Sequence, residues 1–95
     1  GFPGANKDST LWFGIGLLYD RYGADEHALE AFTAVLKIEG FIGAPSHQMP
    51  TRPPSSLIRE VYYRVGRLLR NRKQFNASLE CFKFIQSIPP PPLTS

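Results

Sequence analysis

Few side chains in this sequence are of a type that does covalent or metal chemistry. There is one cysteine, Cys81, and there are two histidines, His27 and His47. A reactive thiol needs a base or cation beside it to favour the thiolate. Cys81 instead precedes Phe82, with no histidine near it in sequence, which fits a partly buried structural thiol. Structural zinc sites need sets of cysteine and histidine at short spacings, and these three residues match no such pattern. His27 is expected on the surface in the first turn of a helix, and His47 in a loop. The glycines occur singly, not as a loop that cradles phosphate. The sequence shows no catalytic, cofactor or metal constellation, so the chemistry it offers is recognition.

The most visible recognition feature is a basic run: Arg59, Arg64, Arg67, Arg70, Arg72 and Lys73. Nucleic-acid binding would want these cations on one stripe, with aromatic platforms between them. Here they spread around a helix, which reads as a solvated face. The net charge of +3 hides an asymmetry. Residues 9–42 carry five acids against two bases, and residues 59–92 carry two acids against seven bases. Oppositely charged halves favour docking of the two, although exposed ion pairs are worth under about 1 kcal/mol each.

The elements that hold these residues follow from apolar spacing. Trp12, Ile15, Gly16 and Tyr19 fall at i, i+3, i+4 and i+7, one face of a helix. Gly23 interrupts, and Ala28, Phe32 and Val35 form a second stripe at i, i+4 and i+7. The same spacings recur at Tyr62, Val65, Gly66 and Leu69, then at Ser78, Phe82 and Ile85. Pro90 stands in the second copy where Gly40 stands in the first. Two copies in register, each ending on a helix breaker, carry the signature of the tetratricopeptide (TPR) repeat, a helix–turn–helix unit. The predicted fold is all-α: four helices in two TPR repeats of a helical solenoid, with a proline-rich loop between the repeats.

The expected helices are Thr10–Tyr22, Glu26–Ile38, Leu57–Arg70 and Ala77–Ser87. Their predicted N-caps are Asp8 or Ser9, Asp25, Ser55 or Ser56, and Asn76. Gly16 lies inside a helix, where glycine costs about 1 kcal/mol against alanine. Close approach of Ala28 or Phe32 would compensate. Residues 1–8 read as a flexible lead-in, 9–40 and 56–88 as the repeats, and 89–95 as an extended proline-rich tail. The stretch 41–55 holds four prolines and no periodicity. Gly16 and Gly66 lie 50 residues apart, against a usual repeat period of 34, so about 16 residues are extra. They are either an insertion looped out of the array or intron sequence carried into the reading frame.

In stacked TPR units the first helix of each repeat lines the concave face. Off the packing stripe, the first repeat presents Thr10, Phe13, Leu17, Asp20 and Arg21. The second presents Glu60, Tyr63, Arg67, Arg70 and Asn71. An apolar patch beside a basic one suits an extended or helical peptide with an apolar anchor and acidic neighbours. Phe13 and Leu17 serve either that face or packing against a preceding repeat.

The wording is more specific than the repeat consensus. LWFGIGLLYDRYG with AFTAVLKIE, then EVYYRVGRLL with FNASLECFKFIQSIPPPPLT, closely resembles the TPR subunit of the fungal general transcriptional corepressor. The resemblance covers about residues 8–42 and 57–94. The extra segment near Gly40–Ser55 departs from that family's pattern. Animal histone demethylases have a related TPR region and are the nearest competitor. A chaperone-binding TPR domain that grips a C-terminal carboxylate fits less well, because it needs lysine and asparagine where this chain has Phe13 and Leu17.

The resemblance implies a nuclear, non-enzymatic adaptor. Its partners would be a WD-repeat corepressor subunit, DNA-binding repressors and neighbouring TPR repeats, with no direct contact to nucleic acid or membrane. The residues it carries over are structural: Trp12, Ile15, Gly16, Tyr19, Ala28 and Phe32, then Tyr62, Val65, Gly66, Leu69, Ser78 and Phe82. Ninety-five residues make at most one small domain. About three repeats are normally needed for a stable stack, so the chain is expected to be a fragment of a longer array. No apolar run approaches the roughly 20 residues of a membrane helix. A single cysteine excludes an internal disulfide and is compatible with a reducing compartment.

Overall fold

The computed structural model describes residues 7–42 and 55–87. These form four helices: α1 (Ser9–Arg21), α2 (Asp25–Ile38), α3 (Ser56–Asn71) and α4 (Phe75–Ser87). No strand occurs among the described residues. The chain divides into two compact units, Gly1–Arg52 and Pro53–Ser95. Each unit is one helical hairpin of TPR type, α1 on α2 and α3 on α4. The expected loop at 41–55 and the expected tail at 89–95 lie almost wholly outside the described residues, as does most of the lead-in.

In the first hairpin, α1 starts where Asp8 caps it. The Asp8 carboxylate accepts from the backbone N–H groups of Thr10 at 3.0 Å and Leu11 at 3.2 Å. That bond pair satisfies two of the orphan donors at a helix start. α1 ends in a Schellman turn, with the Gly23 N–H donating to Asp20 O and the Ala24 N–H to Tyr19 O. Such a turn needs a left-handed residue, and Gly23 supplies it at φ +75°. α2 then buries Ala28, Ala31, Phe32, Val35 and Leu36. It ends in a second Schellman turn, in which Phe41 N–H donates to Leu36 O at 2.8 Å and both side chains are buried. Ser9 Oγ donates to Glu39 Oε2 at 2.7 Å, tying the start of α1 to the end of α2.

Asp25 is not the N-cap of α2. Ala24 holds that position with no side-chain bond, and Asp25 opens the helix. The reason is the turn itself: the residue that completes the Schellman motif of α1 is already the cap of α2, which leaves no spacer. Asp25 and Glu26 lie instead in the first turn, where acids favour the helix dipole. The second hairpin repeats this economy. Gln74 N–H closes onto Leu69 O, Ser78 N–H bonds Gln74 O, and α4 begins at Phe75. Asn76 therefore lies inside the helix and does not cap it.

The second hairpin keeps the first one's design with different residues. Ser55 caps α3, its Oγ accepting from the Ile58 N–H at 3.4 Å. The left-handed position taken by Gly23 in the first turn is taken here by Lys73, at φ 65°. Buried residues on α3 are Ile58, Val61, Val65, Gly66 and Leu68. Tyr62 is half-buried and stacks on Phe84 of α4, with ring centroids 4.2 Å apart. On α4, Ser78 takes the place that Ala28 takes on α2. Its buried hydroxyl donates to the Gly66 carbonyl at 2.7 Å, so the polar group is satisfied inside the hairpin.

Candidate functional site

The glycine positions fix how closely each hairpin closes. A β-carbon at Gly16 would lie 2.5 Å from Cε1 of Phe32, and one at Gly66 would lie 2.9 Å from Cζ of Phe82. Phe32 and Phe82 thus occupy space that any side chain at those glycines would need. Of the residues expected to pack the repeats, Trp12, Gly16, Ala28, Phe32, Val65, Gly66 and Ser78 are buried. Ile15, Tyr19, Tyr62, Leu69 and Phe82 are half-buried.

The proposed binding residues lie on α1 and α3, and each hairpin arranges its own set. On α1, Phe13 and Leu17 are half-buried, Asp20 is half-buried, and Thr10 and Arg21 are exposed. Phe13 has its ring centroid 5.9 Å from that of Phe32, so part of its surface already serves the hairpin. Leu17, one turn further on, continues the apolar strip.

On α3 the equivalent aromatic is Tyr63. Its ring meets Phe82 edge-on at 6.2 Å and remains 47% exposed. The guanidinium carbon of Arg67 lies 5.8 Å from the Tyr63 ring centroid, a cation–π arrangement one turn apart. Arg70 and Asn71 continue this face and are exposed. Glu60 pairs with Arg64 at 2.8 Å, which draws its carboxylate toward Arg64. The second hairpin therefore presents an aromatic ring followed by two guanidinium groups, a surface suited to acidic side chains.

Cys81 belongs to the packing of the second hairpin. Burial pushes the Cys81 thiol above its ordinary value, and the neighbouring Glu80 adds to the shift. The thiol is held protonated at neutral pH, opposite to the need of a nucleophile. Burial likewise raises the Tyr62 phenol, with Cys81 contributing. His27 is exposed on α2, its ring 5.0 Å from that of Tyr19 across the hairpin. His47 lies outside the described residues.

Two apolar faces are additional to the expected site. Leu11 and Leu18 on α1 and Tyr22 at its C-cap are 46%, 55% and 77% exposed, and Phe75 and Leu79 on α4 are 61% and 51% exposed. The signal was present in the spacing. Leu11, Ile15, Leu18 and Tyr22 fall at i, i+4, i+7 and i+11, a face of α1 adjacent to the Trp12–Gly16 stripe.

No protein-family profile matches the chain, and no solved structure matches it. Three curated proteins are similar over a short stretch. The general transcriptional corepressor trfA of Dictyostelium discoideum is 70% identical over 33 residues, 35% of this chain and 2% of that protein. The general transcriptional corepressor ssn6 of Schizosaccharomyces pombe is 61% identical over 33 residues, 35% of this chain and 3% of that protein. The general transcriptional corepressor CYC8 of Saccharomyces cerevisiae is 59% identical over 29 residues, 30% of this chain and 3% of that protein. The matched stretch thus spans only a few per cent of each relative's length. Across that stretch this chain is homologous to the general transcriptional corepressors.

Proposed function

We propose that the chain is a TPR protein-binding segment of a transcriptional corepressor. It acts in the nucleus without enzymatic activity, linking DNA-bound repressors to a WD-repeat corepressor subunit. The observation that carries this reading is the identity of 70% over 33 residues to a general transcriptional corepressor. The geometry is compatible with it: each hairpin holds a fixed backbone and presents one face of its first helix. The α1 face offers Phe13 and Leu17 to an apolar anchor. The α3 face offers Tyr63, Arg67 and Arg70 to acidic residues of an extended or helical partner segment. Affinity capture with a purified WD-repeat corepressor subunit, and separately with a DNA-binding repressor, tests the proposal. Saturable binding to both is expected, and failure to bind either one overturns the linking role.

A further inference from the structure

The basic side chains of α3 are not alike. Arg64 donates from Nε to Glu60 Oε2 at 2.8 Å, so its charge is answered on the helix. Arg67 and Arg70 are exposed and pair with no carboxylate among the described residues. They stand three residues apart, where side chains on a helix are neighbours, about 5–6 Å apart at Cβ. Asn71, also exposed, follows one turn on from Arg67. Tyr63 lies one turn before Arg67, whose guanidinium carbon is 5.8 Å from the ring centroid. That contact leaves Arg67 less side-chain freedom to lose on binding.

Only the second hairpin carries this stripe. By the repeat spacing, Tyr63, Arg67 and Arg70 correspond to Phe13, Leu17 and Asp20 of α1, which bring no two cations together. The first helix of a TPR unit lines the concave face, so repeats stacked on either side of the hairpin leave the stripe open. Its charge is therefore available to a partner lying along that face.

Two neighbouring guanidinium forks offer more donors than one carboxylate can take up, since its two oxygens are satisfied by a single fork. A phosphoryl group brings three acceptor oxygens and a charge of about −1.5 to −2 at neutral pH, so one group accepts from both forks. We infer that the α3 stripe recognises a phosphorylated side chain in an extended or helical partner segment. Arg67 and Arg70 clamp the phosphate, the Asn71 amide donates to it, and the exposed Tyr63 ring takes an apolar neighbour. This rests on the α3 face being a partner-binding face, and adds that the partner is bound in its phosphorylated form.

Fluorescence anisotropy of labelled degenerate peptide libraries with the full chain tests this. One library is centred on phosphoserine, phosphothreonine and phosphotyrosine in mixture, flanked by leucine. The second is the same library after phosphatase treatment, and the third has glutamate at the centre. Expected is binding of the phosphorylated library on the order of tenfold or more tighter than the glutamate library, and its loss after phosphatase. Arg67→Gln and Arg70→Gln should each weaken it on the order of tenfold. Arg67→Lys should weaken it too, because lysine keeps the charge and loses the fork. Far-UV circular dichroism checks that each variant is folded. Equal affinity for the phosphorylated and glutamate libraries overturns the inference and leaves a face for acidic partners standing. Undiminished binding by folded Arg67→Gln and Arg70→Gln variants overturns it as well. So does a chain that binds no library, and capture of a WD-repeat corepressor subunit by that same chain would show that the partner-binding role stands without it.

Discussion

Gly16 and Phe32 pack with no side chain between them: a β-carbon on Gly16 would lie 2.5 Å from Cε1 of a fully buried phenylalanine ring. Alanine at position 16 would gain about 1 kcal/mol of helix propensity. It would also force the ring or the helix to move, at about 1–3 kcal/mol. Because Phe32 is fully buried, its ring has nowhere to go, so Gly16→Ala is expected to destabilise on balance. Gly66→Ala should cost less, since the corresponding approach is 2.9 Å and Phe82 is only half-buried. Urea denaturation of both variants checks the order.

Removing the ring has a different cost. Phe32→Ala or Trp12→Ala should lower stability by about 3–5 kcal/mol through the cavity left behind. A denaturation midpoint unchanged by either substitution would refute the packing of the first hairpin.

Lys73 sits at φ 65°, in the position that Gly23 fills in the other hairpin at φ 75°. A non-glycine residue there costs about 1–2 kcal/mol. Lys73→Gly should therefore raise the stability of the second hairpin, and Gly23→Ala should lower that of the first by a similar amount. Thermal melts of the two variants should move in opposite directions.

Alkaline pH should destabilise the second hairpin. Burial raises the Cys81 and Tyr62 pKa values from 9.0 and 10.0. A raised folded-state pKa means that the unfolded chain loses these protons first. Stability is then fully present below about pH 9 and declines as pH climbs through the unfolded and then the folded values. Denaturant midpoints at neutral pH and at pH above 10 should show the decline, and Cys81→Ala with Tyr62→Phe should reduce it.

Much of the fold was legible because the apolar spacing and the glycines carry it. Trp12, Gly16, Ala28 and Phe32 report both the helix faces and their close approach. Helix starts were less legible. Asp25 and Asn76 are good capping residues by type, but Ala24 and Gln74 take the cap positions because each already closes the preceding helix. The turn at Lys73 carries no sequence signal, since lysine does not favour left-handed backbone. On α3 the buried edge runs through Ile58, Val61, Val65 and Leu68, and shares only Val65 with the stripe of Tyr62, Val65, Gly66 and Leu69 that the spacing picks out. Of the candidate site, the residue types of the α1 and α3 faces were readable. The Arg67–Tyr63 pairing and the Glu60–Arg64 ion pair were not, because i and i+4 neighbours on a basic helix offer several equivalent partners.

The most direct test of the proposed role is calorimetric titration of a WD-repeat corepressor subunit into the full chain and into an Arg67→Glu, Arg70→Glu variant. Both arginines are exposed, so fold stability should change by no more than about 0.5 kcal/mol per site. Expected is saturable binding by the unaltered chain that weakens on the order of tenfold or more in the variant. Undiminished binding by the folded variant would contradict the assignment of the α3 face, and absence of binding by the unaltered chain would contradict the link to that subunit.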